Sequence, residues 1–236
     1  LKTFPFPVHL DVQSLRPALG RSGIRKMYIR QLKRLRDATP DLPVLIGEFG
    51  IPYDLSRGRA YGLFTRGRRD AKIWRKHVTA LELMYDALDA LQLNATQWNY
   101  TATNRNDARI GDGWNQEDLS VFSPDQITNP NDIHSGGRAL EGFVRPYPRA
   151  VQGELLETRY DRRRGEYLLR SRADPGIAAP TWIGVPDIAF PGDYRVLVEG
   201  DDGGSSSTEF EKVAAPRSLL VRAGAAGEIR ITLKRA

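Results

Sequence analysis

The chain has 236 residues, 40% of them hydrophobic and 27% charged, enough for one large or two small globular domains. It has no apolar run of membrane-spanning length, and its lack of cysteine excludes disulfides and thiolate metal sites. The net charge of +6 includes clusters at Arg66, Arg68 and Arg69 and at Arg162, Arg163 and Arg164. No aromatic interleaving or binding motif accompanies them. They predict a solvated basic surface with some attraction to anionic lipid, and no nucleic-acid partner. The chain opens on Leu1, within LKTFPFPVHLD, so an N-terminally truncated chain is expected and export is left undecided.

Phe4 to His9 is a short apolar run broken by Pro5 and Pro7, read as a strand end or loop. From Ser22 to Asp37, Ile24, Met27, Tyr28, Leu32 and Leu35 recur at helical spacing. Pro40 and Pro43 close that helix, and Val44 to Glu48 reads as a buried strand. A Gly- and Arg-rich loop is expected from Ile51 to Arg69. Asp70 then caps a long helix with an apolar stripe of Ile73, Trp74, Val78, Leu81, Met84, Tyr85, Leu88 and Leu91. Ala95 to Tyr100 is a third strand.

Strands and helices alternating with short connections imply parallel strands. A whole barrel of that type needs roughly 250 residues, so the first 146 read as its closing part. Gly136-Gly137 marks a turn before a short helix from Arg138 to Phe143. After Val144-Arg145-Pro146 the helical signal ends. Strands are predicted at Gly153–Tyr160, Glu166–Ser171, Pro180–Val185, Tyr194–Glu199, Ser218–Arg222 and Glu228–Leu233, separated by Pro/Gly/Asp turns, with a Gly/Ser hairpin loop at 203–207. The fold class is α/β: the C-terminal portion of a (β/α)8 TIM barrel over 1–146, followed by a small all-β sandwich over 147–236.

Glu48 ends the strand Val44-Leu45-Ile46-Gly47, where a buried unpaired carboxylate has no structural use. Gly47 and Gly50 flank it and permit a tight turn or a close approach. The C-terminal end of a barrel strand is where such enzymes keep catalytic groups; the alternative is a strand-edge glutamate in a salt bridge. Trp98, in Gln97-Trp98-Asn99-Tyr100-Thr101, offers a flat apolar platform at the end of the next strand, suited to the C–H face of a sugar. A long polar loop follows, Asn104 to Gln126. Its acids, Asp112, Glu117 and Asp118, are expected to hold the loop or bond sugar hydroxyls. Three scattered histidines and the absence of a phosphate-binding glycine loop predict neither a metal nor a cofactor.

IGEFG, a long helix, QWNYT and GDGWNQEDLS, with the later GGRAL, VRPYPRA and AFPGDYRVLVEG segments, resemble glycoside hydrolase family 5. Within it the likeness is to endoglycoceramidases and related glucosylceramidases, and it runs over nearly the whole chain. The resemblance implies that Glu48 is the nucleophile of a retaining β-glycosidase and Trp98 the floor of its sugar subsite. It places His9 on the sixth barrel strand, beside the substrate, although the tyrosine that usually accompanies that histidine is missing. The family's acid/base lies in an Asn-Glu-Pro context absent from this chain, so the chain alone is expected to be inactive. The implied substrate is a glycolipid or oligosaccharide, with no obligate protein partner. The alternatives are a family 5 endoglucanase or β-glucosidase for other β-glucosides, or a non-catalytic carbohydrate- or lipid-binding protein.

Overall fold

The computed structural model describes residues 8–11, 14–107, 109–114, 117–200 and 208–236. Phe4 to Pro7 of the first apolar run and the hairpin loop expected at 203–207 lie outside them. The chain divides into two compact units, Leu1–Phe143 and Val144–Ala236.

In the first unit, β1 (Val8–Asp11) and β2 (Arg16–Leu19) form an antiparallel hairpin that leads into α1 (Gly20–Asp37). β2 is missing from the sequence reading, and β1 pairs antiparallel with it instead of joining β3 in parallel; the few residues between β1 and β2 suit a hairpin and not a parallel crossover. Ile24 and Met27 of α1 pack on Leu83, as the helical spacing predicted. β3 (Leu45–Phe49) pairs in parallel with β4 (Asn94–Gln97), and the helical segments between them in sequence make the crossover. Among the described residues β3 has no other partner, and Leu45 is 62% exposed, so the strand read as buried is open.

The expected loop after β3 contains a helix, α2 (Leu55–Thr65). Ser56, Arg57 and Gly58 are left-handed, with φ near +60°, so regular helix starts only at Arg59. Ala60 and Tyr61 are buried against Ile73 and Trp74, with Leu55, Leu63 and Phe64 packed behind. Arginine and glycine on the outer face hid this apolar side from the sequence pattern. Asp70 does act as a cap, accepting from Lys72 N at 3.1 Å. It caps a 3-10 turn (Ala71–Trp74) that runs straight into α3 (Arg75–Leu91). The predicted stripe of α3 is buried at Val78, Leu81, Leu88 and Leu91. The helix expected at 138–143 shrinks to a single 3-10 turn, Leu140–Gly142.

Arg138 is fully buried in this unit. Its guanidinium grips Asp118 with two parallel bonds, donates from Nε to Ser120 O at 3.1 Å and from Nη1 to Asn106 Oδ1 at 3.1 Å, and bonds Ser120 O again through Nη2. Its flat face lies 4.0 Å from the Tyr53 ring centroid. Tyr61 donates its hydroxyl to the same carboxylate, and burial followed by this bond raises the phenol pKa.

The second unit is a sandwich of two four-stranded antiparallel sheets. Its strands are β5 (Tyr147–Ala150), β6 (Gly153–Asp161), β7 (Glu166–Ala173), β8 (Thr181–Gly184), β9 (Tyr194–Gly200), β10 (Thr208–Ala214), β11 (Arg217–Ala223) and β12 (Gly227–Arg235). The sheet orders are β10-β11-β8-β5 and β6-β7-β12-β9. Ile229, Ile231 and Leu233 point inward at every second position and meet Leu169, Ile183, Leu219 and Val221. Tyr167, Phe190 and Tyr194 are buried in the same core. The two sandwich strands missing from the sequence reading, β5 and β10, are both edges. Pro148 and the Glu209, Glu211, Lys212 series are edge features that weaken a strand pattern.

Truncating one partner of a buried ion pair strands the other, at a cost of about 3–5 kcal/mol. Arg138→Ala is therefore expected to lose that much stability in urea unfolding. Arg138→Met with Asp118→Leu should recover most of it, since neither charge is then left unpaired.

Candidate active site

The carboxyl ends of β3 and β4 lie side by side. Trp98 N donates to Phe49 O at 2.8 Å, carrying the pairing one residue beyond β4. From behind, Tyr85 of α3 donates to Gln97 Oε1 at 2.8 Å and sets its ring against Phe49, centroids 5.2 Å apart. Gly50 is required by this approach: a Cβ there would sit 2.2 Å from the Trp98 carbonyl oxygen. Gly47 has open space around it, so only one of the two flanking glycines answers a close contact.

Glu48 is exposed at the end of β3. Its carboxylate makes no hydrogen bond or ion pair among the described residues, so the salt-bridge alternative is not realised there. Trp98 follows β4 on the adjacent strand, 37% exposed. The peptide bond between Trp98 and Asn99 is cis. An open pocket of about 480 Å³ is lined by Gln97, Trp98, Asn99, Tyr100, Asp112 and Trp114, with Thr101 and Gly113; Glu48 is not one of its lining residues. Tyr100 and Trp114 are exposed and place two further aromatic surfaces around Trp98. The sequence carried both residues within the segments singled out above, but period and spacing gave no reason to join them to Trp98.

The pocket rim is held by Asp112 and by the strip 118–121. Asn99 N donates to Leu119 O at 3.2 Å, and Val121 N donates to Asn99 O at 2.8 Å. Asn99 Nδ2 donates to Asp112 Oδ2 at 3.1 Å, while Asp112 also accepts from Trp114 N at 2.9 Å. Asp112 and Asp118 are thus buried anchors of the loop, as expected of its acids, and Glu117 stays exposed. Glu82 pairs with Arg21 at 2.8 Å.

His9 lies in the β1–β2 hairpin, a different strand pair from β3–β4, with its ring 5.9 Å from that of Tyr28. The β3–β4 pairing sets the strand ends that carry Glu48 and Trp98 side by side and does not include His9. His77 is buried in α3, stacked on Tyr53 at 5.1 Å with Nε2 3.0 Å from the Tyr53 carbonyl oxygen. Burial pushes its pKa down to about 4. His134 lies half-buried in the turns that follow the polar loop. Among the described residues no group of three His, Asp or Glu side chains is arranged to hold a metal ion.

Residues 145–233 match the model of the glycoside hydrolase family 5 C-terminal domain. That match spans the sandwich. The chain is also 28% identical to a glucosylceramidase of Cryptococcus neoformans, over 73% of its own length and 24% of the relative's. Against the crystal structure of Cryptococcus neoformans sterylglucosidase 1 the TM-score is 0.77 at 27% identity, covering 95% of this chain and 33% of that one. Endo-glycoceramidase II from Rhodococcus sp., solved as a lactosyl-enzyme intermediate, shares the fold at 19% identity and a TM-score of 0.56, over 91% of this chain and 38% of that one. The chain spans about a quarter of the length of the curated relatives it matches.

Gly50→Ala should force the ends of β3 and β4 apart, since the opposing atom is backbone and cannot rotate away. A loss of roughly 1–3 kcal/mol is expected, with a shift in tryptophan fluorescence. Gly47→Ala should leave both unchanged.

Proposed function

We propose that this chain is the C-terminal part of a retaining β-glycosidase that cleaves a sugar from a lipid aglycone, with residues 1–146 forming the last strands of its (β/α)8 barrel. The observation that carries this reading is the unpaired, exposed carboxylate of Glu48 at the carboxyl end of a parallel strand, one strand from the Trp98 platform. A charge left without a protein partner is available to a ligand. A carboxylate beside an aromatic floor suits a pyranose, whose C–H face stacks while its anomeric carbon faces the oxygen. The relatives support a lipid aglycone: one is named a glucosylceramidase and another a sterylglucosidase.

In this mechanism Glu48 attacks the anomeric carbon and the glycosidic C–O bond breaks, leaving a covalent glycosyl-enzyme. The departing aglycone oxygen takes a proton from a second carboxylic acid. That group, now a base, removes a proton from water, which attacks the same carbon and frees Glu48. Retention requires the two carboxyl groups to lie about 5–5.5 Å apart. Asp112 and Asp118 are committed to the loop, Glu82 to Arg21, and Asp11 to Arg30 and Gln31. Asp54 and Glu117 are exposed acids outside the Asn-Glu-Pro context that the family resemblance implies for this group, so we assign the acid/base to a part of the protein outside this chain, which leaves the chain alone inactive. His9 would reach the sugar only once further strands set the β1–β2 hairpin against the site.

In the protein that contains these residues, Glu48→Gln should abolish turnover while leaving the melting temperature nearly unchanged, because an amide is not a nucleophile here. Retention of most activity would refute the assignment. Assays on glucosylceramide, a steryl glucoside and a cello-oligosaccharide read out the aglycone, and preference for the oligosaccharide would refute the lipid reading.

A further inference from the structure

A second pocket opens on the segment that leaves β3 just after Glu48. It holds about 280 Å³, floored by Leu55, Ala60, Leu63 and Ile73 and walled by cations. Between 57 and 76 the chain carries eight Lys and Arg and a single acid, Asp70. Asp70 is already paired with Arg68 at 2.9 Å, and Lys76 bonds the neutral Ser56 Oγ at 2.7 Å. Arg59, Lys72 and Arg75 also line the pocket. Their side chains have no hydrogen bond or ion pair among the described residues, and no carboxylate lines the pocket. Arg170 and Arg172 of the sandwich meet glutamates across the strands, whereas Arg59, Lys72 and Arg75 share this pocket with no carboxylate in its lining.

Like charges drawn around one concavity repel each other and raise the local concentration of anions. Guanidinium groups match the oxygens of a phosphate in paired bonds, and a lysine adds a mobile point charge. We propose that this pocket is an anion subsite that takes the phosphate of an anionic phospholipid headgroup and so holds the protein on a lipid surface. A free phosphate ester offers the same oxygens. The choice of a lipid phosphate rests on the lipid-substrate reading above and on the apolar floor formed by Leu55, Leu63 and Ile73, which a free ion would not need.

The test is flotation of the chain with vesicles of equal parts phosphatidylcholine and phosphatidylserine, against phosphatidylcholine alone. These vesicles contain no glycolipid, so failure here leaves the Glu48 reading untouched. Binding is expected only with phosphatidylserine and should weaken as salt rises. Each basic residue near an anionic surface contributes about a fivefold factor, so Arg59→Gln, Lys72→Gln and Arg75→Gln together should weaken binding at least about tenfold. Arg159→Gln, Arg163→Gln and Arg195→Gln, which remove the same charge from the sandwich, should leave it nearly unchanged. Circular dichroism checks that both variants fold; if the triple variant does not, Lys72→Gln alone should still weaken binding about fivefold. Equal losses in the two triples would mean that net charge alone acts, and would overturn the proposal. So would absence of phosphatidylserine binding, or binding of inorganic phosphate at this pocket without binding to vesicles.

Discussion

The first unit depends on one buried cation. A guanidinium carries five N–H donors that each cost free energy if left unsatisfied away from water. Arg138 places all of them, two on Asp118, two on Ser120 O and one on Asn106. Its flat faces meet Tyr53 and Trp74. Asp118 in turn accepts from Tyr61, and its backbone oxygen accepts Tyr53 N at 2.7 Å. Residues 118–121 are thereby clamped to the helical core on one side. On the other side the same strip holds Asn99 through both of its backbone groups. The aromatic platform after β4 is thus positioned by a salt bridge that never touches it. A polar loop this long would otherwise have little reason to adopt one conformation.

The sandwich keeps its order by other means. Its core is alternating aliphatic and aromatic side chains, and its charges lie in cross-strand pairs on the outer faces, such as Arg170 between Glu157 and Glu228. Such pairs contribute little each in water. They keep a strongly basic chain locally neutral where the strands are close. The segment after β3 lacks that balance, which is why its cations are available to something else.

Legibility followed the physics of each element. The sandwich strands stood out because one face is dry and the other wet, so alternation along Glu228 to Leu233 appears directly in the residues. The edges β5 and β10 did not, since an edge strand carries proline and charge that mimic a loop. α3 was plain from its stripe, whereas α2 was masked by arginines on its outer face and by three left-handed residues at its start. Glu48 drew attention in the sequence as a charge with no structural use at a strand end, and Trp98 as an exposed flat ring at the end of the next strand. Tyr100, Trp114 and Arg138 were not legible, because their roles come from contacts across many residues: Arg138 looks like any exposed arginine after a Gly-Gly turn. β2 was not legible, since Arg16-Pro17-Ala18-Leu19 has neither alternation nor length, and with it went the hairpin that replaces a parallel place for β1.

In the proposed mechanism Glu48 is the group that bonds the sugar. A 2-deoxy-2-fluoro-β-glucoside with a good leaving group slows release of the glycosyl-enzyme and lets it accumulate. Mass spectrometry of the digested protein, taken as the enzyme that contains these residues, should find the fluoroglucosyl adduct on the peptide carrying Glu48. An adduct on another carboxylate, or an active enzyme that forms none, would rule Glu48 out as the nucleophile.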